Sequence, residues 1–127
     1  MTKVSISNKE AQSRLNHGKR AYILDARPED VYTGGSDQIE GAIHLPEVML
    51  HEVYMQLPKD KEYLIYTTKG EEEISEKMAK FLVDKGYFAC SINGGYEDWR
   101  DSGLPIEPIK AKGTPILNED EFFNFEK

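Results

Sequence analysis

The amino-acid sequence predicts an α/β fold built around a parallel sheet. Three short apolar segments, at residues 21–24, 63–66 and 87–92, are separated by stretches with the periodicity of amphipathic helices. These segments are continuous rather than alternating, which is typical of strands covered on both faces. Strands that alternate with helices of about ten residues form βαβ units with right-handed crossovers. The length of 127 residues fits one domain.

The sequence of the first third of the chain predicts a helix, a strand, a single helical turn and a loop. Ser7 and Glu10 have the spacing of a capping box, which indicates a helix beginning there. Residues 21–24 predict a buried strand, and residues 28–32 predict one helical turn. The glycines and polar residues of GGSDQIEG, residues 34–41, then predict a loop.

The following elements repeat the alternation of helix and strand. Apolar residues at helical spacing predict a helix over residues 47–57, which Pro58 ends. A second strand is expected at residues 63–66, and a helix with one apolar face follows the polar loop and ends at Gly86. A third strand at residues 87–92 ends at a glycine pair, after which YEDWRDSG predicts a brief helix and LPIEPI an extended exit.

The last part of the chain differs in character from the rest. We expect a domain over residues 1–109 and an acidic tail over residues 110–127. Residues 118–127 contain four acidic residues, one lysine and three phenylalanines. Exposed aromatic side chains favour a docking surface, so the tail is expected to dock on its own domain or to join two copies in a homodimer.

Composition excludes several classes of protein. One cysteine forms no internal disulfide, and no Cys/His pair has zinc-ligand spacing, which excludes a secreted disulfide scaffold and a structural zinc module. No metal and no cofactor are expected. No apolar run approaches the roughly 20 residues of a membrane span, and the first ten residues have no signal-peptide character. The net charge of −7 argues against nucleic acid or an anionic membrane as partner. A cytoplasmic protein is expected.

Four segments in order resemble the rhodanese-like domain family. ILDARPEDVYTGG and QIEGAIHLP resemble its Asp-x-Arg and Gly-Ala motifs, YLIYTTKG resembles its strand and active-site loop, and DKGYFACSINGGYEDWRDSGLP resembles its closing segment. Gln38 stands where the family has a histidine. The resemblance spans roughly residues 4–107 and implies a five-stranded, mostly parallel sheet with helices on both faces.

The resemblance also implies where chemistry is expected. In active members a cysteine directly after the second of these strands takes sulfur from a donor such as thiosulfate, and loop amides with the positive helix end lower the pKa of its thiol. Here Thr67 or Thr68 occupies that slot. A threonine hydroxyl needs a neighbouring base to act as a nucleophile and cannot hold a persulfide. No catalytic residue is therefore expected in this loop.

The charge of this loop also opposes the family reaction. Three consecutive carboxylates would each disfavour an anion by roughly 1 kcal/mol even in water-like screening, and one lysine offsets at most one of them. With Thr67 as the slot the loop is about two residues longer than in sulfur-transferring members. With Thr68 it resembles dual-specificity phosphatases, whose Cys and Arg are both missing. The predicted ligand loop comprises Thr67, Thr68, Lys69, Gly70, Glu71, Glu72, Glu73 and Ile74.

These observations predict a rhodanese-like domain that is inactive as a sulfurtransferase and acts as a binding or regulatory module. Its partner is expected to be an unidentified protein or small ligand at the loop, with Asp25 and Arg27 as structural residues near the site. The alternative is a sulfurtransferase that uses Cys90 or the cysteine of a partner, although Cys90 lies in a segment expected to be a buried strand. A phosphatase-like anion site is a third possibility.

Overall fold

The computed structural model describes residues 4–16, 21–35 and 37–109. The acidic tail predicted at 110–127 lies outside the described residues. The elements are β1 (Ser5–Ile6), α1 (Asn8–Asn16), β2 (Ala21–Asp25), α2 (Glu29–Gly34), β3 (Asp37–Ile39), β4 (Ile43–His44), α3 (Glu47–Val53), a 3₁₀ turn (Tyr54–Gln56), β5 (Glu62–Tyr66), α4 (Glu72–Asp84), β6 (Phe88–Ile92), α5 (Gly95–Asp101) and β7 (Ile106–Pro108).

Five parallel strands form the central sheet in the order β1-β6-β5-β2-β4. This confirms the α/β fold and the number of strands expected from the resemblance. In the register of β2 and β5, Leu24 lies opposite Ile65 and Asp25 lies opposite Tyr66. The carboxyl ends of the central strands therefore meet at one edge, where α/β proteins bind their ligands.

Alternate side chains of the strands pack on opposite faces of the sheet, because successive residues of a strand point to opposite sides. Tyr63 and Ile65 of β5 belong to the core beneath α3 and α4, whereas Leu64 and Tyr66 belong to the core beneath α1 and α5. Both faces are covered, which explains the continuous apolar runs of the sequence. At the start of α1 the Ser7 hydroxyl accepts a hydrogen bond from the Glu10 amide at 3.1 Å, as its spacing predicts.

Two local predictions were wrong. Residues 34–41 were expected to form a loop, but they contain β3, which pairs antiparallel with β7 to form a separate two-stranded sheet. The partner strand is far away in the sequence, so the local pattern does not reveal it. The helix predicted over residues 47–57 ends at Val53 and continues as the 3₁₀ turn. Leu57 is extended, with ψ of 137°, because the residue before a proline disfavours helical geometry.

Among the described residues, no helix has the length and apolar character needed to cross a membrane.

Candidate functional site at the carboxyl edge of the sheet

A buried ion pair forms the floor of the site. Asp25 is the last residue of β2 and is fully buried. Its carboxylate accepts hydrogen bonds from Arg27 Nε at 3.1 Å and Nη2 at 2.7 Å, and from the Tyr66 hydroxyl at 2.5 Å. The Ala26 amide donates to the Tyr66 carbonyl at 2.7 Å. The ends of β2 and β5 are therefore held together by side chains and main chain alike.

The Arg27 guanidinium is enclosed by aromatic rings. Its Cζ lies 4.6 Å from the ring centre of Tyr96, 5.6 Å from that of Tyr32 and 5.8 Å from that of Tyr66. Burial acts to lower the pKa of Arg27, but the hydrogen bonds and charge of Asp25 outweigh it and raise this pKa. Burial, and then the charge of Asp25, raise the pKa of Tyr66 well above its usual value. Each charge of the pair is therefore compensated by the other within the domain.

The loop after β5 turns sharply before α4 begins. The Glu71 amide donates to the Thr68 carbonyl at 2.9 Å, and Gly70 within this turn has φ of +94°, a value that favours glycine. Helix α4 begins at Glu72. The predicted loop of residues 67–74 therefore divides into a turn over residues 67–71 and the first helical turn.

Carboxylates of the chain itself accept hydrogen bonds from two loop amides. The Lys69 amide donates to Glu97 Oε1 at 2.8 Å, and the Gly70 amide donates to Glu72 Oε1 at 2.9 Å. The Lys69 ammonium lies 2.9 Å from Asp98 Oδ1, and this contact raises the pKa of Lys69. The loop's cation is thus directed towards α5.

Helix α5 packs its first residues directly against the loop. The Tyr96 amide donates to the Thr67 carbonyl at 2.9 Å. A Cβ on Gly95 would lie 2.6 Å from both the Lys69 nitrogen and the Thr67 oxygen, so only a residue without a side chain fits. Tyr96 also packs on Arg27, so α5 joins the loop to the buried ion pair.

Thr67 is the first residue after β5 and is only 1% exposed. Its Oγ1 is buried and has no hydrogen-bond partner within the described part of the chain. Thr68 is half-buried. The loop contains no cysteine. That Thr67 or Thr68 occupies the position of the nucleophile stays a prediction.

A family model, described as the rhodanese-like domain, matches residues 7–102. The chain belongs to the rhodanese-like domain family. It is 27% identical over 103 residues to a protein named sulfurtransferase from Allochromatium vinosum, covering 80% of this chain and 92% of that protein. The crystal structure of a rhodanese-like domain protein from Staphylococcus aureus is 26% identical, covers 87% of this chain and all of that one, and has a TM-score of 0.69.

Two further relatives are much longer than the matched region. The HTH-type transcriptional regulator Rv0324 of Mycobacterium tuberculosis is 26% identical over 98 residues, and the match covers 77% of this chain. The tRNA sulfurtransferase of Aeromonas hydrophila is 31% identical over 80 residues, which are 61% of this chain. The chain spans 41% of the first protein and 16% of the second.

Cys90, the one cysteine of this rhodanese-like chain, lies within β6. It pairs in register with Leu64, three residues before Thr67, which places it about 10 Å from the loop along the strand direction. Cys90 is half-buried, and its sulfur lies 3.8 Å from Arg14 Nη1. Arg14 also contacts the carboxylates of Glu10 and Glu62. The structure therefore separates the thiol from the loop.

Three further residues in the segments that resemble the family, Gln38, His44 and Trp99, make their contacts within the domain itself. Gln38 accepts a hydrogen bond from the Tyr32 hydroxyl at 2.7 Å and donates to Glu107 Oε2 at 2.7 Å. His44 stacks on Tyr32, with ring centres 3.8 Å apart, and its Nε2 lies 2.7 Å from the Arg27 carbonyl oxygen. Trp99 is buried and donates to the Pro105 carbonyl. These residues join the second sheet and α5 to the domain.

The residues that sequence reasoning missed lie on α5. Gly95, Tyr96, Glu97 and Asp98 all contact the loop, although the segment YEDWRDSG was predicted only as a brief helix. The sequence did contain one signal for these contacts. Acidic residues directly after the glycine pair that ends a rhodanese strand lie at the same sheet edge as the loop.

Proposed function

We propose that this rhodanese-like domain does not transfer sulfur through its loop and acts as a binding or regulatory module. The observation that carries the proposal is the loop itself, in which Thr67 follows β5 and carboxylates accept hydrogen bonds from the Lys69 and Gly70 amides. Sulfur transfer needs a thiolate stabilised by positive potential and free amides. This loop has neither a thiol nor unoccupied donors at those two positions.

The relatives support both the family chemistry and a regulatory role. A protein named sulfurtransferase is similar along most of its length, so the fold is compatible with sulfur transfer when the loop carries the required residues. A protein named transcriptional regulator contains a similar region within a longer chain. A rhodanese-like region inside a regulator supports a role in recognition, here of a protein partner or small ligand at the loop.

A thiosulfate–cyanide assay tests the proposal directly. Purified protein is incubated with thiosulfate and cyanide, and thiocyanate is measured against buffer and against the Allochromatium vinosum sulfurtransferase. We expect thiocyanate at the rate of buffer. A rate well above buffer that persists in the variant Cys90→Ser would overturn the proposal, because the loop would then be the source of activity.

A second candidate function is a sulfur relay through Cys90. The observation that favours it is the Arg14 guanidinium, whose Nη1 lies 3.8 Å from the Cys90 sulfur, because a neighbouring cation favours a thiolate. Mass spectrometry after incubation with thiosulfate separates the candidates. In this relay the Cys90 thiolate attacks the outer sulfur of thiosulfate, the S–S bond of thiosulfate breaks and sulfite leaves. A protein one sulfur atom heavier, with the persulfide on Cys90 and absent from Cys90→Ser, supports the relay. An unmodified Cys90 supports the binding module.

A further inference from the structure

Two consecutive loop amides hydrogen-bond to carboxylates from different parts of the fold. Lys69 donates to Glu97 on α5, and Gly70 donates to Glu72 in the first turn of α4. Main-chain amides gathered before the amino end of a helix are the donors that bind oxyanions in many proteins. At these two positions the chain's own carboxylates take the place of an external anion.

Glu97 is the more distinctive of the two acceptors because it comes from a separate element. Its helix is fixed to the loop by the Tyr96–Thr67 hydrogen bond and by the close approach of Gly95. The carboxylate is therefore positioned by packed main chain. Its neighbour Asp98 binds the Lys69 ammonium, so the same turn of helix supplies an anion to the amide and holds the loop's cation.

An independent observation at the start of the loop indicates unused hydrogen-bonding capacity. The Thr67 hydroxyl is 1% exposed and has no partner among the described residues. A buried polar group without a partner is destabilising, because it has lost its hydrogen bonds to water. The internal carboxylates therefore satisfy two amides of the loop but leave its first side chain unsatisfied.

We propose that the Glu97 carboxylate is an internal occupant of an oxyanion position, and that it keeps tetrahedral oxyanions such as sulfate and thiosulfate out of the loop. The inference rests on the proposed function and adds how the same site is closed. An external oxyanion and Glu97 compete for the Lys69 amide, so removal of the Glu97 side chain opens the loop to anion binding.

The test is a titration with sodium sulfate at constant ionic strength, followed through the main-chain amide signals in ¹⁵N–¹H NMR spectra. The protein is compared with the variants Glu97→Ala and Glu73→Ala. Glu73 is exposed, and its side chain hydrogen-bonds to no described residue, so Glu73→Ala removes the same charge without freeing an amide. We expect the largest saturable shifts at Lys69 and Gly70 in Glu97→Ala. Its sulfate binding should be at least tenfold tighter than that of the unmodified protein and of Glu73→Ala, which gains only from the lost charge.

Three results would overturn the inference. Glu97→Ala could titrate like the unmodified protein, the two alanine variants could bind sulfate equally, or saturable shifts could lie away from the loop. Equal binding would assign the effect to net charge alone. The spectra also report folding of each variant.

If Glu97→Ala does not fold, the pair Glu97→Gln and Glu73→Gln replaces it. A neutral amide oxygen is a weaker acceptor than a carboxylate, so Glu97→Gln should bind sulfate more tightly than Glu73→Gln. Equal affinity would contradict the inference. Sulfate donates no sulfane sulfur, so this result is independent of the thiocyanate assay, and either proposal can fail alone.

Discussion

Gly95 and Lys69 are in direct main-chain contact, and a Cβ on Gly95 would lie 2.6 Å from the Lys69 nitrogen. Gly95 also has φ of +63°, which side chains rarely adopt. This contact positions Glu97, two residues further along, beside the Lys69 amide. Gly95 therefore allows α5 to approach the loop closely enough for Glu97 to reach the Lys69 amide.

Substitution of Gly95 by Ala should lower the free energy of unfolding by about 2–4 kcal/mol, because backbone strain and overlap with the loop add together. Gly103→Ala is the matched control, since Gly103 has φ of +77° but nothing within 4 Å of its Cβ position. The control should lose only about 1–2 kcal/mol. Urea unfolding measures both, and equal losses would show that the contact with the loop is not tight.

Removal of either partner of the buried Asp25–Arg27 pair should strongly lower the free energy of unfolding, because the other charge is then buried without compensation. Asp25→Asn leaves a buried guanidinium without its carboxylate and should cost about 3–5 kcal/mol of unfolding free energy. The double variant with Arg27→Gln should lose less than the sum of the single losses. Asp101→Asn, which breaks the exposed pair with Arg100, should leave the free energy of unfolding almost unchanged. A loss for Asp25→Asn as small as that control would contradict the role of the pair.

Stability should fall at alkaline pH because of Tyr66. Its pKa is raised in the folded protein, so above the unfolded value of about 10 the unfolded chain loses a proton that the native protein retains. The slope of unfolding free energy against pH is then negative, and stability declines from about pH 10 upwards. Urea unfolding at several pH values should give a shallower decline for Tyr66→Phe, despite its lower stability at neutral pH. Identical slopes would argue against this assignment.

A cysteine at position 67 should be a poor nucleophile in this loop. In the variant Thr67→Cys/Cys90→Ser the thiol replaces a side chain that is 1% exposed, and burial raises a thiol pKa above its usual value of about 8.5. The pH dependence of the cysteine ¹³Cβ chemical shift measures this pKa, with the same chain in urea as reference. A midpoint below that reference would mean that the loop still stabilises anions.

Sequence reasoning succeeded where the signal is local. The buried strand predicted at residues 21–24 and the capping of α1 by Ser7 both follow from patterns within a few residues. It failed where a partner is remote. β3 depends on a strand some 69 residues away, as the Gln38–Glu107 hydrogen bond shows.

The same limit applies to the site. The position of the loop, its missing cysteine and its carboxylates could be read from the sequence, and Glu72 does accept from a loop amide. Glu97 lies 28 residues after Lys69, and the contact between them depends on how α5 packs. Only the three-dimensional arrangement of the glycine pair brings that carboxylate to the loop.

The edges of the central sheet have a consequence for recognition. Both edge strands, β1 and β4, are two residues long. An added strand needs a longer row of unpaired main-chain groups to gain useful affinity, and short edges also discourage unwanted sheet-to-sheet association. A partner of this domain should therefore bind to side chains of its loops and helices. The specificity of that binding should depend on charge and shape complementarity rather than on main-chain hydrogen bonds.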